Sequence, residues 1–379
     1  MPYSVRPMPP RIYITSIGLV SAPLDGSGLS PDPLLNGRLS ARTPVEPQPG
    51  EPRLHALARA ASERALAQAP GLAALAPEDK GVYVSSSKGG MEYFDGPAPD
   101  LGPSLWRYLS SSPGQALRAG LGWTGPGRNT PLACATGAYS VGQAFEDLRL
   151  GRLKAALAGA AEASLTPLIV AAFDNIGALS PARRVEDLRG PFDEAAHGFV
   201  VGEAGAALLL ESEDGLARTG HRPLVELLGW ACTCDAYHMT APDPRGSQAA
   251  RAMRLALAMA GVAAEDVAYV NAHGTGTPSG DKAELNVLRG VFGEGAGPRV
   301  SSIKGAVGHT LGASGALEAA VTVRSLAGGR LPGNRGCAAP LPGLAPWLAL
   351  EDESLAGRVA VSMSMGFGGH NVALVFGKV

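Results

Sequence analysis

The chain has 379 residues, 45% of them hydrophobic and 17% charged, and a formal net charge of −2. That balance suits a large globular protein with room for roughly two domains, and it excludes disordered and strongly basic, nucleic-acid-binding classes. Aromatic residues are scarce at 5%, which argues against a base-stacking surface. No apolar run of about 18 residues marks a membrane span, and Met1 to Pro10 holds no apolar leader core, so the expected location is a reducing cytoplasm.

In chain order, Arg11 to Val20 reads as a first strand, followed by a Pro-, Gly- and Ser-rich loop to about Pro52. Leu54 to Gln68 reads as a helix, and Gly81 to Ser86 as a short strand opening into Ser87-Lys88-Gly89-Gly90. Met91 to Asn129 reads as irregular. A helix after Cys134 has apolar residues at Ala138, Val141, Phe145 and Leu148, one helical face, and runs out at Gly151. A buried strand over Ala155 to Gly159, a short helix over Leu168 to Asn175 and a buried run from Ala206 to Leu210 follow. His221-Arg222-Pro223 is the best internal boundary, dividing the chain into halves 1–222 and 223–379. The second half alternates again: strand Leu224 to Trp230, helix Gln248 to Ala260, strand Val267 to Ala272 and helix Asp281 to Val291, with Asp281 and Glu284 as a capping pair. A strand over Arg299 to Ile303, a helix over Ser314 to Leu326 and two strands, Arg358 to Met363 and Asn371 to Phe376, close the chain. Such alternation implies an α/β fold with buried sheets. No identity-level repeat links the halves, although their element orders are similar.

The four cysteines, Cys134, Cys232, Cys234 and Cys337, are too few for a disulfide scaffold and lack the spacing of a zinc site, so no metal is expected. Cys232 and Cys234 alternate along a strand and read as small buried residues. Cys134 is different, because it opens a helix. Unpaired N–H groups and the positive end of the helix dipole favour thiolate there, whereas an isolated cysteine is more often a small buried hydrophobe. Two histidines, His273 and His309, each follow a strand end within a Gly-rich loop, where α/β folds place ligand groups. A helix-start cysteine with two loop histidines is a candidate set for nucleophilic catalysis. Lys304 and Glu318 lie close to His309 in sequence; their plain reading is a solvated ion pair. Gly366-Phe367-Gly368-Gly369 reads as a tight hairpin, or as a turn that offers N–H groups to an oxyanion. Walker A, GxGxxG after the first strand, HExxH and a GxSxG elbow are all missing from the sequence.

Taken together, Ala133-Cys134-Ala135-Thr136-Gly137, residues 158–168, 178–184 and 191–211, Asp235 to Pro242, Asn271 to Glu284, Ser301 to Ala319 and Gly366 to Asn371 resemble, in order, the motifs of a β-ketoacyl-[acyl-carrier-protein] synthase of the elongating, type II branch. The resemblance implies a thiolase fold, with two pseudo-duplicated α/β halves in a layered αβαβα arrangement. It implies decarboxylative Claisen condensation, with Cys134 as the acyl-accepting nucleophile and His273 and His309 facing the malonyl thioester. Lys304 and Glu318 would be a buried pair orienting the His309 loop. Phe367 would be the gate, its N–H and that of Cys134 forming an oxyanion hole; Gly366 and Gly368 would be substrate-binding, and Thr275 and Thr277 would bond the phosphopantetheine arm. No tightly bound cofactor is implied, and the partners are acyl-carrier protein and a second copy of the chain, or a related subunit.

The sequence departs from that pattern at Leu132, Lys88, Met363, His370 and His197, the last read as structural, and Ser85 to Cys134 is short and matches poorly. Two alternatives are a non-condensing partner subunit, which usually lacks the cysteine, and a thiolase acting on coenzyme A esters, for which Cys337 is poorly placed.

Overall fold

Residues 9–94, 105–295 and 297–379 are described by the structure, a computed structural model. The strands are β1 (Ile12–Val20), β2 (Leu29–Asp32), β3 (Arg38–Ala41), β4 (Lys80–Ser85), β5 (Ala155–Glu162), β6 (Val201–Gly202), β7 (Ala204–Ser212), β8 (Val225–Cys234), β9 (Val267–Asn271), β10 (Arg299–Ser301), β11 (Arg330–Leu331), β12 (Glu353–Ser354), β13 (Val359–Gly366) and β14 (His370–Lys378). The helices are α1 (Arg53–Leu66), α2 (Ser112–Leu121), α3 (Thr136–Arg149), α4 (Pro167–Asn175), α5 (Glu213–Thr219), α6 (Ser247–Ala260), α7 (Pro278–Phe292), α8 (Lys304–Val307) and α9 (Ser314–Gly328). No helix among the described residues is long and apolar enough to cross a membrane.

Nine of these strands form one sheet in the order β10-β9-β13-β14-β8-β1-β7-β5-β4. The two parts meet only briefly, where Ile12, Tyr13 and Ile14 of β1 pair with Leu227, Glu226 and Val225 of β8. On each side of that seam the pattern repeats: the first strand lies antiparallel to the last (β1 with β7, β8 with β14), and a parallel pair lies beyond (β5 with β4, β13 with β9).

Alternation along the strands builds the layers, because successive side chains point to opposite faces. Ala156, Ala158 and Ala160 of β5, Leu208 and Leu210 of β7, and Leu374 and Phe376 of β14 join α3 and α9 in one central core. Leu157 and Leu209 face outward to α1, while Ala373 and Val375 face outward to α6 and α7. The stack therefore runs helix, sheet, helix, sheet, helix. Small residues on the inner face of β5 let α3 lie close.

The two central helices begin on matching segments, Ala135-Thr136-Gly137-Ala138 and Ala313-Ser314-Gly315-Ala316. They cross where both are glycine: a Cβ on Gly137 would lie 2.5 Å from the Ala316 nitrogen, and one on Gly315 2.6 Å from the Ala138 nitrogen. This crossing brings the start of α3, with Cys134, beside the loop that precedes α9, with His309.

Several local expectations change. Part of the stretch read as irregular, Met91 to Asn129, contains α2, which ends on left-handed Gly122 (φ 63°); residues 95–104 of it, like residues 1–8 of the leader reading, lie outside the described residues. The loop read to Pro52 contains β2 and β3. Cys232 and Cys234 are exposed rather than buried; they lie at the end of β8.

Candidate active site

Cys134 stands in a tight turn before α3. Ala133 is held at φ 46°, in the left-handed region, at a cost of order 1–3 kcal/mol that its surroundings must offset. Thr136 provides that hold: its Oγ1 accepts from the Leu132 N–H at 2.8 Å and donates to the Ala133 carbonyl at 2.7 Å. Cys134 is 7% exposed, packed with Leu165, Phe199 and Leu311. Burial pushes its thiol up from its ordinary value, against the pull of Lys88 and Lys304. The helix start favours thiolate, and burial works against it. Desolvation outweighs the nearby positive charge in so enclosed a site.

The two histidines, far apart in sequence, meet over this sulfur. His309 Nε2 lies 3.1 Å from Cys134 Sγ, and the His273 and His309 ring centroids are 5.4 Å apart at 84°. At His309 the other ring nitrogen, Nδ1, accepts from the Leu311 N–H at 3.3 Å and lies 3.0 Å from Ser314 Oγ. At His273, Nδ1 faces the Lys304 ammonium at 3.3 Å, which has only donors to give. With Nδ1 an acceptor in both rings, each neutral imidazole carries its proton on Nε2. Both rings are held neutral, their pKa values lying well below 6.5 because of burial first and the Lys304 charge second.

Lys304 and Glu318 are a buried ion pair, with side chains 2% and 1% exposed, not a solvated one. Lys304 Nζ also donates to the His273 carbonyl. The pair spans the His309 loop from α8 to α9, and its lysine also reaches across to the β9 loop and supports His273.

Asp281 and Glu284 likewise do more than cap a helix. α7 starts earlier, at Pro278, after Thr277, which leaves both carboxylates facing back into the preceding loop. Glu284 accepts the N–H groups of His273 at 2.7 Å and Gly274 at 2.6 Å, and Asp281 those of Thr275 and Gly276, each at 3.0 Å. Burial pushes Asp281 up to about 6 and Glu284 up to about 7. Together they fix the His273 loop by its backbone. The sequence spacing shows both acids but not their direction.

A cavity of about 280 Å³ opens onto Cys134, His273 and His309, lined also by Thr275, Thr277, Phe367 and Pro242. Thr275 Oγ1 and Thr277 Oγ1 are 2.8 Å apart. The β13–β14 turn closes one wall, with Gly368 and Gly369 left-handed at φ 84° and 77° and the Gly368 N–H on the Met239 carbonyl at 2.7 Å. A Cβ on Gly366 would lie 2.9 Å from the Leu132 carbonyl and 3.3 Å from the Cys134 nitrogen, so the backbone leading into Phe367 lies against the Cys134 turn.

Of the departing residues, Met363 is buried in the outer core beside Val361, away from the sulfur. The His370 ring lies over Gly368, whose Cβ would meet its Nε2 at 3.0 Å. His197 is exposed, bonded to the Ala196 carbonyl at 2.7 Å. Cys337 does not line the cavity. Among the described residues no cluster of His, Cys, Asp and Glu has the makings of a metal site.

Comparison with known proteins agrees with this geometry. The beta-ketoacyl synthase N-terminal domain matches residues 53–215 and the C-terminal domain of the same family residues 224–338. A 3-oxoacyl-[acyl-carrier-protein] synthase 2 of Staphylococcus aureus is 38% identical over 312 residues, 79% of this chain and 75% of that protein. Its counterpart from Synechocystis is 37% identical over 314 residues, 79% of this chain and 75% of that protein. A beta-ketoacyl synthase structure from Burkholderia phymatum is similar with a TM-score of 0.86 at 32% identity, covering 98% of this chain and 100% of the other. The ishigamide ketosynthase/chain length factor reaches the same TM-score of 0.86 at 28% identity, with 98% and 100% covered. Both family domains lie in order on the halves that carry Cys134 and the two histidines, and the chain belongs to the β-ketoacyl synthase family of condensing acyltransferases.

Proposed function

We propose that the chain condenses an acyl group held on Cys134 with malonyl-acyl-carrier protein, giving β-ketoacyl-carrier protein in fatty-acid or polyketide-type elongation. The observation that carries this reading is the convergence of one sulfur and two neutral Nε2–H donors in a single cavity. In the first step Cys134 sulfur attacks the acyl thioester, and the carrier thiol leaves with the proton. Phe367 and Cys134 backbone N–H groups are the donors assigned to the oxyanion, a reading supported by the contact between their turns.

In the second step the C–C bond to the malonyl carboxylate breaks, CO2 leaves, and its electron pair develops as enolate charge on the thioester oxygen. Neutral imidazole donors favour that charge over the ground-state carbonyl, and one such donor is worth about 3–4 kcal/mol. The enolate carbon then attacks the acyl carbonyl, and Cys134 thiolate leaves. The phosphopantetheine arm of the carrier enters past Phe367 and bonds to Thr275 and Thr277; no tightly bound cofactor takes part.

In this reading residues 1–222 bring the nucleophile and 223–379 the histidines. The protein works as a homodimer, a reading supported by the complete cysteine–histidine set within one chain. A heterodimer with a related subunit is the alternative, favoured by the ketosynthase/chain length factor among its structural relatives. Four free cysteines accord with the reducing cytoplasm. The test is an assay with acyl- and malonyl-carrier protein, in which β-ketoacyl product is expected and its absence overturns the reading. Light scattering of the purified chain tests the homodimer.

A further inference from the structure

Glu162 ends β5 and is 1% exposed, yet it takes no part in the steps above. Its Oε1 accepts from Ser86 Oγ at 2.9 Å. Its Oε2 accepts from the Ser87 N–H at 2.9 Å, from the Ser87 hydroxyl and from the Gly312 N–H at 3.1 Å. Lys88 Nζ, bonded to Ser87 Oγ at 2.7 Å, stands 3.8 Å from the same carboxylate. Packing at the far end is tight: a Cβ on Gly312 would lie 2.2 Å from Glu162 Oε2 and 2.7 Å from Ser87 Cβ, so only glycine fits there.

The Gly312 N–H that Glu162 holds follows directly on Leu311, a residue kept at φ 49° whose own N–H donates to His309 Nδ1. A non-glycine residue stays in that region only where its neighbours over-determine it. Glu162 supplies that constraint from the other side of the turn. A buried carboxylate also needs a counter-charge, and Lys88, which departs from the pattern the sequence resembles, provides it.

We infer that Glu162, balanced by Lys88, is a positioning residue for His309, doing through the Leu311–Gly312 turn what Lys304 does for His273. This rests on the reading of His309 as a donor in decarboxylation. Glu162→Gln keeps the shape but turns an amide NH2 toward a donor, so the turn loses one anchor. Displacements of this kind cost about ten- to a hundredfold in rate.

The experiment measures malonyl-carrier decarboxylation and, separately, acylation of Cys134, in the full chain with and without His309→Ala. Expected for Glu162→Gln is a decarboxylation kcat lower by about ten- to a hundredfold, with KM unchanged and the acylation rate not lowered, since the lost Glu162 charge had pushed the Cys134 thiol up. In the His309→Ala background it adds no further loss, the non-additivity of residues acting through one group. Should Glu162→Gln fail to fold, Lys88→Met decides on decarboxylation alone, since Lys88 also pulls on the Cys134 thiol: a smaller drop in that step, again absent beside His309→Ala, is expected. Equal loss in acylation and decarboxylation, or an undiminished further loss beside His309→Ala, overturns the inference while leaving the proposed function intact. Normal decarboxylation in His309→Ala alone overturns the reading of His309 and this inference with it.

Discussion

His309 Nε2 lies 3.1 Å from Cys134 Sγ, although the two residues are 175 positions apart. Because Leu311 N–H occupies the opposite ring nitrogen, the imidazole meets the sulfur as a donor. It is therefore placed to stabilise negative charge beside the Cys134 sulfur rather than to remove its proton.

Replacing His309 by alanine removes that donor. Malonyl-carrier decarboxylation should fall by about 10²–10³, while acyl transfer to Cys134 continues. Stopped-flow release of CO2, set against mass spectrometry of the acyl-enzyme, separates the two. Loss of both to the same degree would mean the ring serves the nucleophile instead.

Lys304→Met leaves Glu318 buried without its counter-ion and His273 Nδ1 without its donor. Breaking a buried pair in this way costs about 3–5 kcal/mol. Urea denaturation should show that loss, and decarboxylation should fall with it. An unchanged midpoint would mean the pair is not buried as described.

The pH dependence follows from two imidazoles whose folded pKa values lie below 6.5. Decarboxylation should show no acid limb from these two rings; a limb between about 6 and 7 would come from Asp281 and Glu284, the buried carboxylates that hold the His273 loop. For stability, the unfolded chain takes up protons there while the folded protein does not, so the contribution of these rings is present above about 6.5 and is lost as pH falls. The denaturation midpoint of the parent should therefore drop more between pH 7 and 5 than that of a His273→Ala/His309→Ala variant. Equal drops would contradict the neutral buried rings.

Gly137→Ala places a methyl group 2.5 Å from the Ala316 nitrogen. Backbone cannot yield as a flexible side chain would, so overpacking of about 1–3 kcal/mol or more is expected. Since this crossing sets Cys134 against the His309 loop, condensation should fall as well. Thermal melts and the condensation assay check both, and a neutral variant would show that the crossing has slack.

Much of this was legible in the sequence because strand alternation and helix periodicity are local properties. The runs Ala155 to Gly159 and Ala206 to Leu210 read as buried strands, which the structure extends to Ala155–Glu162 and Ala204–Ser212, and Cys134 reads as opening a helix. What pairs across the chain was less legible. Lys304 is three residues past a strand and close to His309 in sequence, yet α8 turns it toward His273. Asp281 and Glu284 have capping spacing, but an earlier helix start at Pro278 sends them back to the His273 loop. Glu162 reads as an ordinary strand end. Its partners, Ser86, Ser87 and Gly312, come together only when β4 pairs with β5 and α9 packs on the sheet.

The central claim is that Cys134 holds the acyl chain. Incubation of the purified chain with acyl-carrier protein, followed by mass spectrometry of its peptides, tests this directly. An acyl adduct is expected on the Cys134 peptide and is expected to be absent in Cys134→Ser. Condensation without any adduct at Cys134, or with Cys134→Ser fully active, would contradict it.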